Sequence, residues 1–157
     1  MTKLYELFQS DNILLGVVAT SKKRIFEQAS QTFALLYGLD QKTVFNTLID
    51  REKLGSTYLG HNTCIPHGRL SNINTPKALF VRLQDEIKAG GDGERVNKLF
   101  FLLAPEESAS DHLQILAQFS HLISDPVIEK KLNEVTTAEE LSLVIRQWCS
   151  LEYPEEK

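Results

Sequence analysis

Gly55-Ser-Thr-Tyr-Leu-Gly-His-Asn-Thr-Cys-Ile-Pro-His-Gly68 is the stretch on which an assignment of fold to this sequence depends. It contains three glycines, one proline and several hydroxyl side chains, a composition that excludes a helix. Helical periodicity precedes it and short apolar runs follow it. The stretch therefore marks the change from helices to strands along the chain.

Two helices are predicted before this stretch. In the first, apolar residues recur at spacings of three and four: Ile25, Ala29, Phe33 and Leu36. Ser21 has the position of an N-cap, and Gly38 has that of the glycine after a helix C-terminus. The second helix is predicted from Gln41 to Leu54, with Gly55 at its end. A short turn joins the two into a helical hairpin.

Two strands are predicted after the stretch. Residues 78–83 and 98–104 are short apolar runs bounded by turn residues, which is typical of buried strands. A turn is predicted between them at residues 90–93, which read Gly-Gly-Asp-Gly. Phe100 and Phe101, in the second run, are expected in the core.

The helical pattern returns after Pro105, and three more helices are predicted. Their first turns are marked by Ser110 or Asp111, by Pro126, and by the capping-box spacing of Thr137 and Glu140. We expect Trp148 to lie in the core and His121 to be packed or half-buried in its helix. Helices, then strands, then helices indicate a layered fold of the α/β or α+β class.

Length and composition limit what the chain can be. It has 157 residues, of which 42% are apolar, enough for one core. We assign residues 1–157 to a single domain, with frayed ends at 1–3 and 152–157. The formal net charge is −4. This argues against nucleic acid as the main partner, because domains that bind it carry a basic excess.

The same features predict a cytoplasmic protein that is not inserted in a membrane. The longest early apolar run, from Ile13 to Ala19, is far shorter than the roughly 20 residues that span a bilayer. It also lacks the basic flank and the cleavage site of a signal peptide. Cys64 and Cys149 show no disulfide framework, so they are interpreted as free thiols in a reducing compartment.

His67 is the leading candidate for chemistry. It lies between Pro66, whose φ is fixed, and the permissive Gly68, so a stiff backbone holds it at a strand end or in a loop. We expect its side chain to be exposed rather than packed. An exposed imidazole is largely neutral at pH 7 and can act as a nucleophile, base or ligand. A surface loop histidine without a role is the alternative interpretation.

The residues around His67 in the sequence favour phosphoryl transfer. Arg51 offers a guanidinium group, and Ser56 and Thr57 offer hydroxyl groups. His112 falls in the first turn of a predicted helix, where free backbone amides favour anions. Phosphoryl transfer relies mainly on positioning and charge stabilisation, for which these groups are suited.

A metal site is a competing interpretation, and we do not expect one. His61, Cys64 and His67 are spaced at intervals of three, with His112 later, and such residues bind zinc. Structural zinc sites more often use paired Cys-x-x-Cys elements, however, and Pro66 stiffens this segment. Cys64 as a catalytic nucleophile is weaker still, because nothing indicates a lowered pKa. The cluster Lys22-Lys-Arg24 is expected to solvate a surface.

Three segments together match a known pattern. The series Arg51-Glu-x-Leu-Gly-Ser-Thr-x-x-Gly60, Ile65-Pro-His-Gly68 and His112-Leu-x-x-Leu116 resembles the type 2 (fructose/mannitol) IIA domain of the bacterial phosphoenolpyruvate-dependent phosphotransferase system. The resemblance covers nearly the whole chain. A size without room for a IIB or IIC domain is most similar to the free-standing, nitrogen-related regulatory branch.

The resemblance implies an α/β fold with a mixed sheet flanked by helices. It implies that Nε2 of His67 receives a phosphoryl group from the phosphohistidine of a histidine phosphocarrier protein, without metal or other cofactor. Nδ1–H of that ring should then donate to a backbone carbonyl while Nε2 faces solvent. His112 resembles the second active-site histidine, and Arg51, Ser56 and Thr57 resemble phosphate contacts.

Two functions remain open under this resemblance. The nitrogen-related branch implies a regulator that binds target proteins, such as a potassium transporter or a sensor kinase, in one phosphorylation state. The alternative is a IIA subunit that passes phosphate to a IIB domain for fructose- or mannitol-type sugar uptake. The chain departs from the family at His61-Asn-Thr-Cys64, where relatives carry small or apolar residues, and the role of His61 and Cys64 stays open.

Overall fold

The computed structural model describes residues 3–90, 93–107 and 109–154. Within these ranges the strands are β1 (Ile13–Val17), β2 (Tyr58–Gly60), β3 (Thr63–Cys64), β4 (His67–Leu70), β5 (Lys77–Lys88) and β6 (Arg95–Pro105). The helices are α1 (Lys22–Tyr37), α2 (Gln41–Lys53), α3 (Ala109–Ser124), α4 (Pro126–Glu134) and α5 (Ala138–Glu152). Short 3-10 helices at Leu4–Leu7 and Ser10–Asn12 precede β1. The predicted α/β class, a mixed sheet flanked by helices, is confirmed.

Strand β6 is the centre of the sheet. The strand order is β1-β5-β6-β3-β2, and β4 also pairs with β6 beyond the end of β3. β5 and β6 are antiparallel, whereas β1 runs parallel to β5 and both β3 and β4 run parallel to β6. Thr63 lies opposite Lys98 and His67 lies opposite Leu102. One long buried strand therefore fixes the whole segment that leads to His67.

A hydrophobic core lies on each face of the sheet. Successive side chains of β6 point to opposite faces, so Phe100 joins the core under α3, α4 and α5, whereas Phe101 joins the one under α1 and α2. Both phenylalanines are fully buried, and Trp148 packs in the first core. The predicted core positions of these three residues are confirmed.

The predicted helix ends are confirmed by their caps. Ser21 Oγ accepts a hydrogen bond from the Arg24 amide, and Thr137 Oγ1 accepts one from the Glu140 amide. Gly38 ends α1 with φ of +67°, in the left-handed region that favours glycine. α2 ends at Lys53, one residue before the predicted end.

Several elements were missed or predicted too short. β1 lies within the apolar run that the sequence analysis weighs only as a membrane span or a signal peptide, and β2, β3 and β4 lie in the stretch predicted only as non-helical. β5 and β6 extend beyond the predicted 78–83 and 98–104. None of the helices in the described ranges combines the length and hydropathy that crossing a bilayer requires.

Parts of two predictions fall outside the described residues. Residues 91 and 92 of the predicted turn do so, as do residues 1, 2 and 155–157 of the ends predicted to fray. Within the described part of the C-terminal end, Glu152 is the last residue of α5. Tyr153 packs against Trp148 with ring centroids 5.7 Å apart.

Gly68 allows α2 to pack closely on β4. A Cβ at this position would lie 2.5 Å from Cγ2 of Thr47, closer than non-bonded carbon atoms approach. Thr47 and Arg51 are four residues apart in α2 and therefore lie on the same face of the helix. The close approach at Gly68 consequently helps to set where Arg51 lies relative to β4.

We predict that Gly68→Ala lowers the free energy of unfolding by about 1 to 3 kcal/mol, because the added methyl overpacks the contact with Thr47. Thr47→Ala in the same chain should recover most of this loss, since it removes the clashing Cγ2. Urea unfolding of both single variants and of the double variant measures the effect. Strictly additive losses would show that the contact is not the cause.

Candidate functional site

His67 begins β4 directly after Pro66, and its ring orientation is fixed by a hydrogen bond. Nδ1 lies 2.8 Å from the Ile65 carbonyl oxygen. A carbonyl only accepts hydrogen bonds, so Nδ1 carries the proton and Nε2 carries the lone pair. The predicted hydrogen bond is confirmed. The ring is half-buried rather than exposed, which corrects the expectation of an unpacked side chain.

His112 lies beside His67. It is the fourth residue of α3, in the first turn as predicted, and its side chain is buried. The two ring centroids are 5.4 Å apart at an interplanar angle of 48°. Nδ1 of His112 is buried and has no hydrogen-bond partner among the residues that the structure describes. The structure thus brings together the two histidines that the sequence singled out.

Both imidazoles are held in their neutral form. Burial is the main cause that lowers the pKa of His112 to about 4, with further contributions from His67 and from the Arg69 cation. Burial also lowers the pKa of His67, as do the cations of Arg51 and Arg69. The Ile65 hydrogen bond and the Glu52 carboxylate act against this shift. At pH 7 the site therefore offers an unprotonated Nε2.

The other predicted phosphate contacts have different surroundings. Arg51 is close enough to influence the pKa of His67, and its Nη1 donates to the Gly55 carbonyl oxygen at 2.9 Å. Ser56 is exposed, and its hydroxyl oxygen accepts a hydrogen bond from the Tyr58 amide. The Thr57 side chain is buried, and its hydroxyl donates to Glu52 Oε1 at 2.8 Å. The hydroxyl proton of Thr57 is thus already engaged in a hydrogen bond to Glu52.

Arg69 is a residue of the site that the sequence analysis missed. It lies two residues after His67 in β4, so both side chains project to the same side of the strand. Its cation lowers the pKa of both His67 and His112. A spacing of two residues places side chains on the same side of a strand. It would have indicated Arg69 only if the segment had been recognised as a strand.

His61, Cys64 and His67, whose spacing resembled a metal site, do not form a cluster of ligands. Cys64 is fully buried, and burial raises the pKa of its thiol to about 12. His61 lies in the turn between β2 and β3, with Nδ1 3.2 Å from Glu129 Oε2 of α4. Across residues 3–90, 93–107 and 109–154, no group of three or more His, Cys, Asp or Glu side chains could hold a metal ion.

Two further expectations are corrected. Lys22 does not merely solvate a surface: it pairs with the Glu52 carboxylate and donates to the Ala89 carbonyl oxygen at 2.7 Å. The side chain of His121 is 47% exposed rather than half-buried, although its ring packs edge-on against that of Trp148, with centroids 4.9 Å apart. It lies at the helix surface, where Nδ1 is 2.8 Å from the Tyr153 hydroxyl.

Comparisons with known proteins agree with this fold. The model of the family described as "Phosphoenolpyruvate-dependent sugar phosphotransferase system, EIIA 2" matches residues 6–148. A nitrogen regulatory protein of Bradyrhizobium diazoefficiens is 36% identical over 141 residues, covering 89% of this chain and 92% of that protein.

Solved structures give the same result. The crystal structure of nitrogen regulatory protein IIA-Ntr from Neisseria meningitidis superposes with a TM-score of 0.85 at 34% identity, covering 90% of this chain and 98% of that one. The IIA mannitol enzyme of Escherichia coli, solved in complex with phosphorylated IIB, superposes with a TM-score of 0.76 over 89% of this chain and 97% of that one. Its identity is 19%, so this likeness concerns the fold alone.

We predict that His112 makes the stability of the fold pH-dependent. Its pKa is lower in the folded chain than in the unfolded chain, so the unfolded chain takes up a proton first as the pH falls. The contribution of neutral His112 to the free energy of unfolding is complete above about pH 6.5 and is lost as the pH falls to about 4. At about 1.4 kcal/mol per pH unit, the loss is about 3 kcal/mol.

Urea unfolding at several pH values between 7 and 4 measures this loss. In His112→Gln the pH dependence should be smaller, with the contribution of His67 remaining, whereas the exposed His121→Gln should keep the full dependence. Equal pH dependence in the wild type and His112→Gln would contradict the prediction.

Proposed function

The chain belongs to the type 2 EIIA family of the phosphoenolpyruvate-dependent sugar phosphotransferase system, and on that premise we propose that Nε2 of His67 accepts a phosphoryl group from a histidine phosphocarrier protein. The observation that carries this proposal is the 2.8 Å contact between Nδ1 of His67 and the Ile65 carbonyl oxygen. It leaves Nε2 as the lone-pair nitrogen of a neutral ring, which is what a nucleophile requires.

The transfer needs no net movement of protons. The bond between phosphorus and the carrier's ring nitrogen breaks while the bond between phosphorus and Nε2 of His67 forms. The carrier's imidazole leaves with the bonding electron pair, and each ring keeps its proton on the nitrogen that faces away from phosphorus. The transition state is metaphosphate-like, so the protein contributes mainly by position and charge.

Arg51, Arg69 and His112 supply that charge and position. The two guanidinium groups are positively charged, and each lies within electrostatic reach of His67. Unit charges about 4 Å apart interact by about 4 kcal/mol at an effective dielectric of 20. His112, as a neutral donor in the first turn of α3, steadies the phosphoryl oxygens. The exposed Ser56 hydroxyl adds a further donor.

We further propose a regulatory output in the cytoplasm. The similarity to nitrogen regulatory proteins extends over 89% of the chain, which favours this branch of the family. Leu54 directly follows α2, which carries Arg51, and Leu113 directly follows His112 in α3. Both side chains are large and apolar, and they are 84% and 63% exposed. A phosphoryl group adds up to about two negative charges next to such a surface, which would change how it docks on a target protein, such as a potassium transporter or sensor kinase.

Incubation with the first enzyme of the system, the phosphocarrier and labelled phosphoenolpyruvate tests the phosphorylation. We expect an acid-labile, base-stable adduct on His67 and none in His67→Ala. Arg51→Ala and His112→Ala should slow labelling by about 10- to 100-fold, because each removes a contact to a charged group. His121→Ala, which changes a histidine elsewhere on α3, serves as the control. Stoichiometric labelling of His67→Ala would refute the assignment.

A second experiment separates regulation from sugar transport. The phosphorylated protein is mixed with fructose- and mannitol-type IIB domains, and the label on each partner is followed with time. A regulator should retain its phosphoryl group, because its output is binding rather than transfer. Transfer to a IIB domain as rapid as that from a mannitol IIA protein would instead establish the alternative function, a IIA subunit for sugar uptake.

A further inference from the structure

Glu52 follows the arginine of the site and is a buried carboxylate with several partners. Its side chain is only 7% exposed. Oε1 accepts the Thr57 hydroxyl at 2.8 Å, and Oε2 accepts the Thr57 amide at 3.3 Å. Lys22 of α1 pairs with the same carboxylate. A carboxylate that is this buried is tolerated only when it is paired and hydrogen-bonded, and Glu52 is both.

The residue that Glu52 holds is linked to the nucleophile. The Thr57 carbonyl oxygen accepts a hydrogen bond from the Ile65 amide at 3.1 Å. The carbonyl oxygen of Ile65 in turn accepts the hydrogen bond from Nδ1 of His67. Thr57 is thus two hydrogen bonds away from the ring of His67 and one away from Glu52.

Arg51 is attached to the same turn. Its Nη1 donates to the Gly55 carbonyl oxygen at 2.9 Å, and the Gly55 amide donates to the Glu52 carbonyl oxygen at 3.2 Å. The turn that carries Gly55 is closed at its far end by the two hydrogen bonds from Thr57 to the Glu52 carboxylate. The position of the guanidinium group therefore depends on the closure of this turn.

Lys22 fixes the carboxylate from outside the turn. Its Nζ donates to the Ala89 carbonyl oxygen at 2.7 Å while it pairs with Glu52. The ion pair joins the N-terminus of α1, the C-terminus of α2 and the end of β5. The neighbouring Lys23 is exposed on the same helical turn, which makes it a matched comparison.

We propose that Glu52 is a positioning residue: clamped by Lys22 and closing the turn through Thr57, it orients the guanidinium group of Arg51 towards His67. Thr57 then acts through Glu52 and not by contact with the phosphoryl group. This inference rests on the proposed phosphorylation of His67. It assigns the orientation of Arg51 to Glu52, Thr57 and Lys22, which do not themselves react with the phosphoryl group.

The rate of labelling in two backgrounds tests the inference. Thr57→Val removes the donor to Glu52 at nearly constant volume, and Glu52→Gln removes the charge. In the otherwise unchanged protein each should slow labelling by about three- to tenfold, the range expected for one lost hydrogen bond. In the Arg51→Ala background neither should slow it further, because the group that they position is absent. Equal slowing by Thr57→Val in both backgrounds would overturn the proposal, because Thr57 would then act independently of Arg51.

Two conservative comparisons separate position from general damage. Thr57→Ser keeps the hydroxyl donor and should retain the wild-type rate. Lys22→Met should slow labelling and Lys23→Met should not, although both remove one lysine from the first turn of α1. Equal rates for these two lysine variants would contradict the role of the ion pair.

An NMR titration of the unphosphorylated protein gives a readout that does not depend on transfer. Burial is the main cause that lowers the pKa of His67; Arg51 and Arg69 lower it further, the Ile65 hydrogen bond and Glu52 raise it, and the ring lies beside that of His112. Thr57→Val should raise this pKa, because the Arg51 cation is no longer held close, and Thr57→Ser should not. In Arg51→Ala the effect of Thr57→Val should vanish. If no variant is phosphorylated but this pattern is found, the proposed function fails while the positioning role stands; its absence overturns the positioning role.

Discussion

The hydrogen bond from Nδ1 of His67 to the Ile65 carbonyl oxygen is the interaction on which the site depends. An imidazole without such a bond distributes its proton between two nitrogens and rotates about its side-chain bonds. The hydrogen bond fixes the position of the proton and the orientation of the ring. Pro66, between Ile65 and His67, limits how the backbone of these two residues can move. Ile65 is itself held, because its amide donates to the Thr57 carbonyl oxygen. Tautomer, ring orientation and the adjoining turn are therefore determined together.

Strand β6 gives this arrangement its rigidity. β3 and β4 lie one after the other along it, and the Leu102 amide donates to the Pro66 carbonyl oxygen at 3.0 Å between them. The residues of β6 from Lys98 to Pro105 are buried, so the segment before His67 rests on a buried part of the sheet. The chain then leaves β6 and enters α3, which places His112 beside His67. Sites that are carried on strands and helix ends are held more closely than sites on loops.

The sequence could predict those parts of the molecule that depend on interactions between residues close together in the chain. Ser21, Gly38 and Thr137 act within one turn of their own helices, so their patterns sufficed, and the order of motifs led to His67 and His112. Strands β2, β3 and β4 have two to four residues each, and β3 and β4 pair with β6, far along the chain, while β2 is held through β3, so no local period identifies them. The same limit hid Arg69, whose relevance follows from the strand, and the pairing of Lys22 with Glu52 across 30 positions. The half-buried state of His67 likewise depends on α3, which the flanking proline and glycine could not reveal.

Charge and nucleophilicity are supplied by different groups in this site, and the chemistry of imidazole explains why they must be. A histidine that contributes a positive charge has given up the lone pair that attacks phosphorus, so one ring cannot provide both. Burial keeps both rings neutral, aided by Arg69 at both rings and by Arg51 at His67, and the guanidinium groups provide the positive charge. The Glu52 carboxylate would oppose an incoming anion if it stood alone, but its pairing with Lys22 offsets that charge. A carboxylate can therefore shape the turn beside the site without repelling the phosphoryl group that the site is suited to receive.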